Sequence, residues 1–311
     1  MQASTGSTRN GHLERGSYYT ESPLRAGNLE AKRVYRFRIV PSCSSTEVVL
    51  RNDIFSAMQI LLHNSFYLLC LMLAASQFTI ASDIPRHGKP VVLFDGHGLD
   101  QFDTFLTSKG LNKDPDHVFQ AEKNIIHVSG KEFGYMITKE EFRDYYLRVE
   151  FKWGEGTYAP RDGHARDSGI LYNIQGPQKV WPRSVEFQIL EGGTGDFWLT
   201  DGGAVTARGT RATGPEGKAV KIDRIGKGPS QDIVGYRDPQ GEVEKPHGKW
   251  NLLELVVQGD HVKHFVNGKL VNEGTDTFPS SGKVLFQSEG AEIFFRNIKL
   301  FPLKNNLSRS E

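Results

Sequence analysis

Cysteine is nearly missing from this chain. Of 311 residues only Cys43 and Cys70 are cysteines. Nothing after residue 70 can join a disulfide framework or a Cys-ligated zinc site. The absence also suits an oxidising compartment, because no thiol is there to mispair. An excess of one charge is missing too. The formal net charge is +1, which gives no electrostatic reason to expect nucleic acid or a membrane surface as partner. Neither H-x-H nor H-E-x-x-H spacing occurs, so histidines give no ground for a metal centre. The glycine-rich, basic stretch GPEGKAVKIDRIGKGP does not match the phosphate-loop pattern and reads as a solvated loop near a groove. No repeat of fixed period and no long amphipathic helix is present.

The N-terminal part separates from the rest. Residues 1–57 are largely polar and basic without periodicity, and are expected to be disordered or a mis-assigned extension ahead of Met58. The apolar run Phe66 to Ala75 falls short of the roughly 20 residues that span a bilayer. It suits the apolar segment of a signal peptide over 58–82, with small residues near Thr79-Ile80-Ala81-Ser82 for cleavage. The body, 83–311, is then a single exported domain, periplasmic or extracellular, that is not inserted in the membrane.

That body is rich in glycine and in short alternating runs. YYLRVEFKW (145–153), SGILYNIQ (168–175), SVEFQIL (184–190) and WNLLELVVQ (250–258) read as strands. HVKHFVNGKLVNEG (261–274) reads as a hairpin turning at Asn267-Gly268, where both residues accept positive φ. KVLFQSEG and AEIFFRNIKLF are expected to close the chain as a second pair, and the stretch from GDFW to about Tyr236 as a loop. Strands at this spacing predict an all-β sandwich or jelly roll of two antiparallel sheets.

Several stretches resemble one family in order and spacing, from about residue 90 to 302. They are VVLFDGHGLDQFDTF, GYMITKEEFRDYYLRVEFKW, DSGILYNIQG, SVEFQILEG and LFQSEGAEIFFRNIKL. The chain is similar to the 3-keto-disaccharide hydrolase domain family. Asp167 stands where that family has Asn, and Ser288-Glu289 where many members have Asp-His, which places the chain in a subgroup. The resemblance implies a concanavalin A-like jelly roll and an exported protein acting on glycosides oxidised at C3. The expected partner is an oligosaccharide or other glycoside.

Glu186 and Gln188 share one face of their strand, while Val185, Phe187 and Ile189 share the other. Glu191 joins Glu186 only if a β-bulge intervenes. With it, EFQILE resembles the bulged catalytic strand of jelly-roll glucanases, whose two acids lie about 5–5.5 Å apart in retaining enzymes. A solvated strand face is the alternative. On a 3-keto sugar the C2 hydrogen is acidic, so a base removes it and the anomeric group leaves. Glu186 and Glu191 are the candidate catalytic acids, and either could be the base. Arg296, expected to pair with Glu186, Glu150 or Glu289, is the candidate to hold the enolate. No cofactor is assigned, and a divalent metal ion is the one addition this chemistry has a use for. The candidate sugar contacts are Gln188, Gln287, Glu289, the loop residues His164 and Asp167, and the aromatics Tyr172, Trp181 and Trp198. His264 is expected to be structural. A retaining glycosidase of ordinary glycosides and a non-catalytic carbohydrate-binding module remain open alternatives, because fold alone does not fix function.

Overall fold

The computed structural model describes residues 84–304, so the expected disordered stretch 1–57 and signal peptide 58–82 lie outside the described residues. Eighteen strands follow one another: β1 (Val91–Val92), β2 (Phe102–Leu106), β3 (Gly110–Leu111), β4 (Phe119–Glu122), β5 (Ile125–Val128), β6 (Gly134–Thr138), β7 (Tyr145–Thr157), β8 (Asp167–Ile174), β9 (Ser184–Leu190), β10 (Phe197–Thr200), β11 (Ala204–Ala207), β12 (Thr210–Thr213), β13 (Ala219–Ile222), β14 (Asn251–Gln258), β15 (His261–Val266), β16 (Lys269–Phe278), β17 (Lys283–Ser288) and β18 (Ala291–Pro302). Among the described residues no helix is long and apolar enough to cross a membrane.

The strands form two antiparallel sheets. The larger runs β12-β11-β16-β15-β14-β7-β18-β5-β4, with β1 on β18. The smaller runs β13-β10-β9-β8-β17-β6-β2-β3. This is the two-sheet jelly roll that the strand spacing predicts. Alternation explains the larger sheet. On β7, Leu147, Val149, Phe151 and Trp153 are buried, while Arg148, Glu150 and Lys152 are partly exposed. Between the sheets, Phe286 of β17 meets Phe295 of β18 edge to face at 5.4 Å. His264 stacks flat on Phe187 at 4.0 Å and shares a hydrogen bond with the Tyr172 hydroxyl. Burial pushes His264 down to about 3, so it is a neutral core residue, as expected. Each buried Phe side chain contributes roughly 1.5–3 kcal/mol by leaving water.

Two local expectations change, and β18 departs from strict alternation. The stretch after GDFW carries four short strands, β10 to β13, because its glycines are turn positions between them, Gly202 and Gly209 having φ 93° and 75°. The last two strands do not pair. β17 lies between β6 and β8 in the smaller sheet and β18 beside β7 in the larger, so the turn at Ser288-Glu289-Gly290 crosses the sandwich. On β18 a bulge changes the facing. Arg296 opposes Glu150 and Lys299 opposes Arg148, so Asn297 and Ile298 share one partner position. Ile298 and Leu300 thereby join Ile293 and Phe295 in the core instead of sharing a face with Arg296. The hairpin is as expected, with Asn267 and Gly268 at φ 52° and 79°.

Asn297 holds this bulge at φ 53°. Asn297→Val is expected to cost about 1–2 kcal/mol in denaturant unfolding, because a β-branched residue strains there, and Asn297→Gly well under half of that. Equal losses for the two variants would contradict a backbone origin.

Candidate active site

β8 and β9 are buried on both faces. Their inner side chains fill the core, and their outer ones form the floor of a cavity of about 650 Å³. The register sets that floor. Trp198, Glu186 and Leu171 lie side by side on β10, β9 and β8. In the next row Gln188 is beside Gly169, and continuing the pairing of Phe286 with Ile170 brings Gln287 to its other side. One row further, the same register places Asp167 beside Glu289. The missing side chain of Gly169 makes the arrangement possible. A Cβ there would lie 2.0 Å from Glu186 Oε1 and 2.4 Å from Gln287 Oε1. Lys179, Val180 and Trp181 from the segment before β9 wall one side, and Glu216 to Ala219 another.

The floor is polar and largely unpaired. Glu186 is 5% and Gln287 2% exposed. Glu186 Oε1, both polar atoms of the Gln287 amide and the Trp198 indole N–H have no partner among the described residues. Orphaned buried groups are costly and cluster where a ligand completes the hydrogen bonding. Asp167 is better held, accepting from Gln188 Nε2 at 2.7 Å and pairing with Arg161 Nη2 at 3.0 Å.

Three carboxyls therefore crowd together, and their proton affinities separate. Burial pushes Glu186 well up, and the charges of Glu289 and Asp167 add to this. Burial does the same to Glu289, reinforced by Asp167 and opposed by Arg161. Burial lifts Asp167 to about 7 against the pull of Arg161. Burial thus favours the protonated form of Glu186 with no cation against it, while Arg161 opposes the same push at Asp167, the kind of separation that acid–base chemistry uses.

Seven residues expected at the site line this cavity: Glu186, Gln188, Asp167, Trp181, Trp198, Gln287 and Glu289. Four do not. Glu191 is off the floor because β9 pairs with β8 without a bulge from Val185 to Leu190. Its carboxylate is occupied by the Arg166 guanidinium at 2.8 Å and by the backbone N–H groups of Arg166 and Gly235 at 3.0 and 2.7 Å. Arg296 belongs to the other sheet, paired with Glu150 at 2.7 Å and stacked on Trp250 at 4.0 Å. Tyr172 is fully buried in the core beside His264. His164 is exposed and bonded to Asp232 at 3.0 Å. The glutamate–glutamine face is not a solvated strand face, since both side chains are buried. Sequence inspection missed Gly169, whose D-S-G motif was the available signal, and Arg161. It also missed Lys179 and Asp201, ion-paired at 2.5 Å beside the cavity. Among the described residues no group of three or more His, Cys, Asp or Glu is placed to hold a metal ion.

The family pattern of the 3-keto-alpha-glucoside-1,2-lyase-like domain matches residues 89–300, and the chain belongs to that family, a carbohydrate-active one. Solved structures with related folds include a provisionally assigned glycosyl hydrolase of Parabacteroides distasonis. It is 20% identical over 69% of this chain and 94% of its own, with a TM-score of 0.45. Others are a beta-glucanase of Bacillus licheniformis (10% identity, 70% and 99% covered, TM-score 0.39) and a carbohydrate-binding module of Bacillus subtilis (11%, 70% and 98%, 0.38). No curated protein matches the chain.

The upward push on the Glu186 carboxyl has a stability consequence. A carboxyl raised in the folded state stabilises fully below its ordinary value of 4.5 and loses that contribution as pH rises. Glu186→Gln, which cannot ionise, is expected to melt with the parent at pH 4 and several degrees above it at pH 8, on the order of 1–2 kcal/mol. A difference independent of pH would show that Glu186 is not a raised acid.

Proposed function

We propose that this protein cleaves 3-keto-glycosides by removing the C2 proton and expelling the anomeric substituent. The observation that carries the proposal is the buried, unpartnered Glu186 carboxyl beside two unpartnered N–H donors. Those donors, Gln287 Nε2 and Trp198 Nε1, suit the C3 carbonyl oxygen, which gains negative charge as the C2–H bond breaks. Asp167, kept chargeable by Arg161 and Gln188, takes the C2 proton. The C2–H electrons form the C2=C3 bond of the enolate. On its collapse they become the C1=C2 bond, the C1–O bond breaks, and Glu186 gives its proton to the departing oxygen. The product is an enone, and addition of water across C1=C2 returns a 3-keto sugar, giving net hydrolysis. Trp181, 38% exposed at the cavity mouth, offers an indole face to the leaving ring.

An ordinary retaining glycosidase is less well supported. Its expected nucleophile, Glu191, is tied to Arg166 off the floor. Of the two other carboxyls on the Glu186 face, burial pushes Glu289 toward its protonated form while Asp167 is engaged by Arg161 and Gln188. Export through residues 58–82 is part of the same proposal. Cell fractionation is expected to find the protein outside the cytoplasm, and a cytoplasmic pool alone would overturn it.

Matched 3-keto and unoxidised disaccharides test the chemistry, with released sugar followed by mass spectrometry. Only the 3-keto substrate is expected to turn over. Glu186→Gln is expected to lose about 10²–10⁴-fold on the 3-keto disaccharide but little on a 3-keto nitrophenyl glycoside, whose leaving group needs no proton. Asp167→Asn loses on both. Equal turnover of the unoxidised sugar would establish glycosidase chemistry, and binding without turnover of either a carbohydrate-binding module.

A further inference from the structure

Three acids on one floor raise the question of which of them carries the charge. Among the described residues one cation forms an ion pair with any of them, and that is Arg161. Its Nη2 lies 3.0 Å from Asp167 Oδ2 and donates to the Ala165 carbonyl at 2.8 Å. Its place is built into the backbone. Arg161 N–H bonds the Tyr158 carbonyl and Tyr158 N–H bonds the Gly290 carbonyl, each at 2.8 Å. The turn carrying Arg161 is thus laid over the turn that ends in Glu289-Gly290. Gly290 sits at φ +75°, and a Cβ on it would come within 2.7 Å of Arg161 Cγ, so the side chain runs through space that only glycine leaves. Arg161 does not line the cavity, which means it acts through Asp167.

We propose that Arg161 is a positioning residue that makes Asp167 the charged member of the trio and so sets the direction of proton movement through the site. This rests on the proposed roles of Asp167 and Glu186. The groups facing Asp167 are few. Glu186 comes from β9 and Glu289 from the end of β17, both acidic, and Gln188 donates at 2.7 Å. Asp232, from the segment before Tyr236, competes for Arg161 at 3.6 Å. It is itself held by His164 at 3.0 Å and by the Ala165 N–H at 3.1 Å, so His164 enters as an outer link instead of a sugar contact. Without the guanidinium, three carboxyls would share the floor with no cation bound to them, and Asp167 would keep its proton into the alkaline range.

A thermal double-mutant cycle with Arg161→Met and Asp167→Asn tests this without any need for turnover. Asp167→Asn is expected to raise the melting temperature at pH 8 by about 3 °C or more beyond its effect in the parent when Arg161 is absent. The excess should vanish at pH 5, where Asp167 is protonated in both backgrounds. Should Arg161→Met not fold, Arg161→Gln serves in its place. With a 3-keto substrate, the rising limb of the kcat/KM–pH profile is expected to move up by about one unit in Arg161→Met, tenfold at fixed pH. KM should hold and Arg161→Lys should restore part of the loss. A cycle with no coupling, or coupling equal at both pH values, would overturn the role of Arg161. The cycle holding while no 3-keto-glycoside is cleaved would instead reject the proposed reaction and leave the ion pair as described.

Discussion

One guanidinium serves three carboxyl groups on the floor of this cavity, and the rest of the site follows from that imbalance. Ionising all three would bury like charges side by side, which costs more than holding protons at neutral pH. Burial therefore pushes Glu186 and Glu289 toward their protonated forms, and Arg161 opposes that push most closely at Asp167, with which it forms an ion pair. Such an arrangement is poor for stability, since acids with no cationic partner and an unpaired glutamine amide lie buried together. Proteins keep such patches where a ligand or a reaction uses them.

The fold supplies the rigidity that holds this strained chemistry in place. Because β8 and β9 sit in the middle of the smaller sheet, the core fixes their inner faces and the register fixes what stands beside what on the outer one. The surrounding segments are tied down by buried ion pairs away from the floor. Arg224 grips Asp238 at 2.9 Å, Lys227 binds Asp196, and Arg166 holds Glu191 at 2.8 Å. Buried pairs contribute little net stability compared with apolar packing, but breaking one leaves a charge stranded. They fix where chain segments run, and Glu191 is an example. It follows directly on β9, and its work is to secure the segment at Gly235.

Period-two alternation made much of this visible in the sequence. It placed Glu186 and Gln188 on one face, and the D-S-G motif marked β8. What it missed depends on backbone irregularity and on distant pairing. The bulge assumed between Glu186 and Glu191 is absent, while an unforeseen one at Asn297 turns Ile298 and Leu300 inward. Arg296 was expected to pair with Glu186, Glu150 or Glu289; its partner is Glu150, and the crossing at Gly290 puts that pair on the other sheet, away from the floor. Tyr172 was open to correction by parity alone, since it alternates with Gly169 and Leu171. Arg161 was not legible at all. Its partnership with Asp167 depends on a turn resting against residues more than a hundred positions away.

The fate of one hydrogen tests proton abstraction most directly. A 3-keto-disaccharide carrying deuterium at C2 is cleaved in ordinary water, and the released sugar is trapped at once by reduction and weighed by mass spectrometry. Elimination removes that deuterium, so the enone and the rehydrated sugar should both lack it, far beyond the loss in an enzyme-free control. Released 3-keto sugar that keeps its C2 deuterium would contradict elimination and return the site to direct displacement at C1.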